Sequence, residues 1–368
     1  MKENRFNGLD HLRAVAIILV WMYHYRAFRH PDWLDTIGSY GWTGVDLFFV
    51  LSGFLISGQL FREIREYGTV FLKTFFTKRF FRIIPPFVFT LLLYVCFPWF
   101  REREALPPLW RFLTFTQNYG LDVINKGTFS HAWSLCIEEQ FYLLLPFSLL
   151  LLLKTGWLSK LKYILMVLPL ISIALRSSAW THFVVPALES DHFWKLWYMH
   201  IYYPTHTRLD SLAIGVLIGF LYEYSVTFKQ LIHSKGVLFF FAGIATLAFA
   251  FWVCKDQYSQ TASVFGFTWV GLAYGLLVSS AVSNSCFLSG MSSRVTRQLA
   301  DLSFAIYLSH KGIIHLIQVA TSPMNLSENQ LMILCLIGCL AAGLVYRYTL
   351  ERPSSWLKNR LLNQNIES

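Results

Sequence analysis

Charge is scarce in this chain: only 14% of its 368 residues are Asp, Glu, Lys or Arg, against roughly 25% in a soluble globular domain. That shortage excludes an ordinary water-soluble fold. Paired cysteine spacing is missing too. Cys96, Cys136, Cys254, Cys286, Cys335 and Cys339 fall in or beside apolar runs without a CxxC pair, so they read as small packing residues and not as disulfides or metal ligands. No metal site is expected. Although the net charge is +10, no segment interleaves basic and aromatic residues on a solvated surface, and nucleic acid is not implied. The first apolar run has no small-residue cleavage site, so it reads as a span and not as a signal peptide. Internal repeats are not visible, and no connection is long enough to hold a large soluble domain.

Apolar length is what the chain has in abundance: 55% of residues are hydrophobic and 33 are Phe. Windows of membrane length fall near 12–28, 41–61, 83–100, 133–153, 161–178, 205–222, 236–254, 262–285, 299–320 and 330–350. The expected fold is therefore all-α, a polytopic protein with about ten transmembrane helices. Residues 1–352 form the membrane domain in this reading, and 353–368 form a short polar tail. With the N-terminus inside, 19 of the 31 Lys and Arg residues flank the spans on the cytoplasmic side and 9 on the outer side. That bias puts both termini in the cytoplasm; the expected location is the cytoplasmic (inner) membrane. Six of the inner charges, Arg62, Arg65, Lys73, Lys78, Arg79 and Arg82, are expected in one loop between the second and third spans, with Pro85 and Pro86 in the first turn of the third.

Ionisable side chains inside spans cost several kcal/mol and mark functional sites by default. Arg13 and His24 share the first span. Eleven residues at 100° each bring them onto one helix face, about 16 Å apart along the axis. Depth then groups the others. His24, Asp46, Glu138, Glu139, Arg208 and Asp210 fall within a few residues of the outer ends of their spans, while Arg13, Arg79 and Arg82 sit at the inner rim. A His beside a carboxylate can act as a general base on a hydroxyl, and clustered arginines suit phosphate. Asp46 is equally readable as a structural partner of Arg208, and Glu139 as another such partner. Lys311 is expected to pair with Asp301 or face water. Gly215 and Gly219 make a small-residue face for close helix packing.

Several of these residues lie in motifs. Leu9-Asp10-His11-Leu12-Arg13-Ala14 followed by His24, Gly44 to Phe54, Arg79-Phe80-Phe81-Arg82 with Pro85, and Trp133 to Tyr142 occur in order along the chain. Together they resemble the membrane-bound acyltransferase 3 family, with weaker matches at Arg208-Leu209-Asp210 and Tyr307 to His310. His11 stands where that family usually has Gly, and the fused esterase-like domain of some relatives has no counterpart in these residues. The resemblance implies transfer of an acyl group, acetyl first, from cytoplasmic acyl-CoA to a hydroxyl of an envelope or exported glycan or glycolipid. By the same resemblance His24 is the catalytic base with Glu138 or Glu139 beside it; apart from the resemblance, Asp46 is open to a second role as a proton carrier. By the resemblance Arg13, Arg79 and Arg82 face the CoA phosphates; Arg208, Asp210, His310, Ser52 and Tyr142 are expected, beyond it, to line the substrate pocket. Acyl-CoA is then a co-substrate, with no cofactor held permanently; the partners are the acceptor and the lipid bilayer. The competing class is a proton-coupled transporter or flippase, which the same buried charges would also suit.

Overall fold

The computed structural model describes residues 5–364, and the order of elements within them is helix after helix with no strand. Ten long helices follow the apolar windows. They are α1 (Asn7–Tyr25), α2 (Thr43–Tyr67), α3 (Leu72–Cys96), α4 (Trp133–Lys154), α5 (Leu161–Ala179), α6 (Leu209–Tyr224), α7 (Val226–Val253), α8 (Phe267–Ala281), α9 (Arg294–Ala320) and α10 (Glu328–Tyr346). An eleventh, α11 (Arg352–Gln364), lies where the sequence suggests only a polar tail. Local signals account for several boundaries. Gly68 ends α2 in the left-handed region, φ 70°, with its N–H on the Ile64 carbonyl, a conformation that favours glycine. Ser293 caps α9, and Ser327 with Gln330 forms a reciprocal capping box on α10.

The α2–α3 connection is shorter than the charge pattern suggests. Since α2 runs to Tyr67 and α3 begins at Leu72, all six of those basic residues are helical and only residues 68–71 connect. An apolar-window reading stops at the first charges, whereas a helix continues through Lys and Arg at little cost. Pro85 and Pro86 accordingly lie inside α3 and not in its first turn.

Seven helical stretches are long and apolar enough to cross a membrane among the described residues. The other three long helices before α11 are α1, α6 and α9. Of these, α6 has only 16 residues, while α1 carries Asp10 and Arg13 and α9 carries Asp301 and Lys311. They are packed by neighbours: α1 on α2 and α9, α6 on α2, α5 and α8, and α9 on α10. The helices least suited to face lipid are therefore enclosed by the rest, and they carry much of the polar machinery.

Glycine sets the closest of these contacts. A Cβ on Gly53 would stand 2.5 Å from the Leu212 carbonyl oxygen, and one on Gly215 would stand 2.3 Å from that of Val50. The backbones of α2 and α6 meet directly, as the small-residue face anticipated, and that contact fixes Asp46 against the start of α6. Gly215→Val is expected to force the two helices apart and destabilise the protein by about 1–3 kcal/mol or more. A lowered melting temperature of the detergent-solubilised protein, followed by tryptophan fluorescence, is the check; an unchanged melt would show that the contact is slack.

Candidate functional site

A cavity of about 2120 Å³ enters the bundle from the end that holds the start of α1, the end of α2 and the start of α3. Its walls include Arg13, Arg79 and Arg82 near the mouth, and it reaches Ser52, Ser134, Glu138, Tyr142 and Tyr307 inside. Helix periodicity explains the inner set. Ser134, Glu138 and Tyr142 recur every four residues on α4, so they share one face. Glu138 accepts hydrogen bonds on both oxygens, from Ser52 Oγ at 3.2 Å and from the Tyr142 hydroxyl at 3.3 Å. The Arg79 guanidinium lies over the ring of Tyr142, 5.7 Å from its centroid, and over that of Phe75 at 5.9 Å. Arg79, Tyr142, Glu138 and Ser52 thus form one continuous polar wall.

Beyond the inner end of the cavity lies a layer of three histidines. Ser134 Oγ is 2.6 Å from the Tyr307 hydroxyl, which in turn donates to the backbone carbonyl of His131. The rings of His131 and His310 stand 4.8 Å apart, and His24 completes the cluster at 4.9 Å from His310 and 5.8 Å from His131. His24 Nδ1 is 2.9 Å from His310 Nε2.

The hydrogen bonds fix the tautomers of this cluster. His310 Nδ1 lies 3.1 Å and 2.8 Å from the carbonyl oxygens of Ile306 and Tyr307. Those oxygens can only accept, so Nδ1 carries the proton, and Nε2 of the neutral ring is an acceptor. His24 must then donate from Nδ1, which leaves Nε2 of His24 as a bare, basic nitrogen. His131 donates from Nε2 to the Leu308 carbonyl at 3.2 Å, and its buried Nδ1 has no hydrogen-bond partner. Arrangements of this kind hold a general base in one protonation state and one orientation.

Two elements hold the layer from behind. Lys311, next to His310 on α9, meets Glu102 Oε1 at 3.3 Å and donates to Ser130 Oγ at 3.3 Å. Phe129, in the left-handed region at φ 56°, turns the chain into Ser130 and His131 just before α4. The Glu102 pairing replaces the expected one with Asp301, which instead binds Arg5 at 2.8 Å and Arg347 at 3.1 Å.

Other expected site residues are placed elsewhere. Asp46 accepts both bonds of Arg208 Nη2, at 3.0 and 2.9 Å, and one from Ser211 Oγ at 2.9 Å. The Arg208 guanidinium stacks 4.0 Å over Phe267 and 4.8 Å over Tyr202. Asp210 binds Arg176 Nη1 at 2.9 Å and Thr268 at 2.8 Å. Both ion pairs are fully buried and neither borders the cavity. Both carboxylates are thus paired and further hydrogen-bonded, the condition under which a buried charge is tolerated, while Arg208 Nε and Nη1 have no hydrogen-bond partner and are covered by aromatic rings. Glu139 does not line the cavity, and Arg208 is taken by Asp46, so the possible Glu139–Arg208 pairing does not form. Nor does a hydrogen bond join His24 to Glu138 or Glu139 among the described residues; the partner of His24 is His310. His310 accepts the His24 N–H and does not border the cavity described above.

Sequence reasoning missed His131, Glu102 and Arg176. His131 lies two residues before the apolar window at 133 and reads as loop; its nearness to the Trp133-Ser134 motif was the available signal. Arg176 sits close to the end of its window, where it looks like a flank.

A polar cavity that enters from one face and stops at a layer of histidines is an arrangement suited to a membrane-embedded transferase. An acyltransferase-domain family model matches residues 6–348, and the chain belongs to the acyltransferase 3 family. It is 28% identical over 363 residues to the O-acetyltransferase OatA of Staphylococcus aureus strain NCTC 8325 / PS 47, covering 94% of this chain and 56% of the relative. It is 27% identical over 331 residues to a candidate O-acetyltransferase of Staphylococcus aureus strain COL, covering 83% of this chain and 50% of the relative. The chain thus spans about half the length of the curated relatives it matches. No solved structure matches it.

Proposed function

We propose that this protein is a membrane O-acetyltransferase, with helices α1–α10 all crossing the bilayer and both ends of the chain cytoplasmic. It takes the acetyl group from cytoplasmic acetyl-CoA and delivers it to a hydroxyl of an envelope or exported glycan or glycolipid. The observation that carries this reading is the separation of charge along one path. Arginines Arg13, Arg79 and Arg82 line the mouth of the cavity, and a histidine with a bare Nε2 lies on the far side of its inner end.

In this reading the arginines hold the donor's phosphates through charge-assisted hydrogen bonds, and the donor's arm lies along Tyr142, Glu138 and Ser52 toward Ser134 and Tyr307. The acceptor approaches His24 from the opposite face. His24 Nε2 takes the hydroxyl proton as oxygen attacks the thioester carbonyl; the C–O bond forms, the C–S bond breaks, and the proton passes on to the leaving thiolate. The Ser134–Tyr307–His131 layer between the two sides keeps bulk water of the acceptor side from the thioester.

Arg79→Gln with Arg82→Gln is expected to raise the KM for acetyl-CoA by about tenfold or more, the equivalent of one lost charge-assisted bond, with a smaller change in kcat. Calorimetric titration of CoA into wild type and the double variant in nanodiscs checks it. Equal affinities would reduce the two arginines to topology determinants, and no binding by well-folded wild type would remove acyl-CoA as donor.

A further inference from the structure

The family match ends at residue 348, yet the cavity wall continues past it. Arg352, Ser355, Trp356, Lys358 and Asn359 of α11 all border the cavity. Their spacing explains how: Arg352, Ser355, Trp356 and Asn359 recur at three- and four-residue intervals and share a face of the helix, with Lys358 at its edge. The helix is held in place from its other side, packing on α3, where Leu361 and Leu362 face Phe76, Phe80 and Phe81 across a groove of about 520 Å³.

The charges gathered here differ from those on the rest of the mouth. On one side of the opening the cations are neutralised, Arg62 and Arg65 by Glu223 and Arg5 by Asp10 and Asp301. On the α3–α11 side, Lys358 lies in the electrostatic field of Lys78, Arg79 and Arg82, and Arg82 in turn acts on Arg13. No ion pair involves Lys358, Arg352, Arg82 or Arg13 among the described residues, and Arg352 has only the ring of Tyr348, 4.2 Å away. Glu351, which also borders the cavity and lies in the field of Arg82, offsets only part of this positive charge, and a further anion is attracted to what remains.

We infer that α11 supplies the second wall of a phosphate-binding site, with Lys358, assisted by Arg352, facing the α3 cations across the cavity mouth. The ligand is a phosphate-bearing anion. On the reading above it is the polyphosphate end of the CoA donor, and this assignment rests on that reading; the same chemistry belongs to the headgroup of an anionic phospholipid. Lys358 is then an affinity-determining residue outside the region that defines the family.

The test titrates CoA into the full chain in nanodiscs of phosphatidylcholine alone and of phosphatidylcholine with phosphatidylglycerol. Wild type, Lys358→Gln, Lys358→Arg and Arg352→Gln are compared. A parallel native mass-spectrometric measurement scores retained phosphatidylglycerol, and tryptophan-fluorescence melts confirm that the variants fold. The expected result is a CoA affinity about tenfold lower for Lys358→Gln, nearly restored by Lys358→Arg, and lowered less by Arg352→Gln. Unchanged CoA affinity with loss of phosphatidylglycerol from Lys358→Gln alone would keep the phosphate site and assign it to a lipid. If both CoA affinity and lipid retention match wild type, α11 is not part of such a site. Failure of wild type to bind CoA at all would instead strike at the donor reading, leaving the lipid arm to decide the site.

Discussion

His24→Ala is expected to remove acyl transfer, lowering turnover by about 10²–10⁴-fold, while the protein still inserts and purifies as a single species. The reasoning is geometric. His24 is one residue from the end of α1, half-buried, and its hydrogen bond to His310 leaves Nε2 as the basic nitrogen of the cluster that faces away from that bond. Truncation removes the base without shortening the apolar length of α1. The measurement is transfer of labelled acetyl from acetyl-CoA to acceptor in inverted vesicles, with insertion checked separately by cysteine accessibility. Retained turnover in correctly inserted protein would take His24 out of the reaction. His310 acts through His24, so His310→Leu should cost less and also move the pH profile, because His24 loses the acceptor that fixes its tautomer. His310→Gln can still accept the His24 N–H through its amide oxygen and should recover part of the loss.

Arg208→Met should instead leave a poorly folded protein. Its partner Asp46 is wholly buried, as is Arg208 itself, and removing one member of a buried ion pair typically costs about 3–5 kcal/mol because the other charge is stranded. Combining it with Asp46→Asn removes the stranded charge and should restore much of the yield and melting temperature. Asp46→Asn alone separates the two roles the sequence leaves open for this carboxylate. A proton carrier would become a stable, inactive enzyme; a structural partner becomes an unstable one whose folded fraction keeps specific activity. The geometry favours the second outcome, since both oxygens of Asp46 are engaged by Arg208 and Ser211.

Helix periodicity and apolar length made the all-helical architecture legible in the sequence, because lipid-facing segments must be both long and internally hydrogen-bonded. The small-residue face at Gly215 and Gly219 was legible for the same local reason, but Gly53 and α2 as its partner were not. The site was legible in part. Arg13, Arg79, Arg82, Ser52, Glu138 and Tyr142 do border one cavity, and the pairing of Asp46 with Arg208 was one of two open readings. What could not be read was partnership across the bundle. His24 and His310 are 286 positions apart, and depth arguments place Glu138 as close to His24 as any histidine. Only the packing of α1 on α9 selects His310. Arg79 and Arg82 were misplaced into a loop because hydropathy ends where charge begins, although the helix itself continues.

The enclosed cavity has an electrical consequence. A vestibule of about 2120 Å³ lined by charged side chains admits water, and water carries the potential of its own compartment to the vestibule floor. On the proposed orientation the transmembrane voltage would fall mostly across the thin septum formed by Ser134, Tyr307 and the three histidines, not across the full bilayer. On the proposed route the acyl group, formally an acylium, crosses that septum outward, and the hydroxyl proton crosses inward to the thiol. The two movements cancel, and donor and acceptor keep their charges. Each turnover would therefore carry no net charge across the septum, and its overall free energy would not depend on the membrane voltage, although a step that moves the proton alone would sense it.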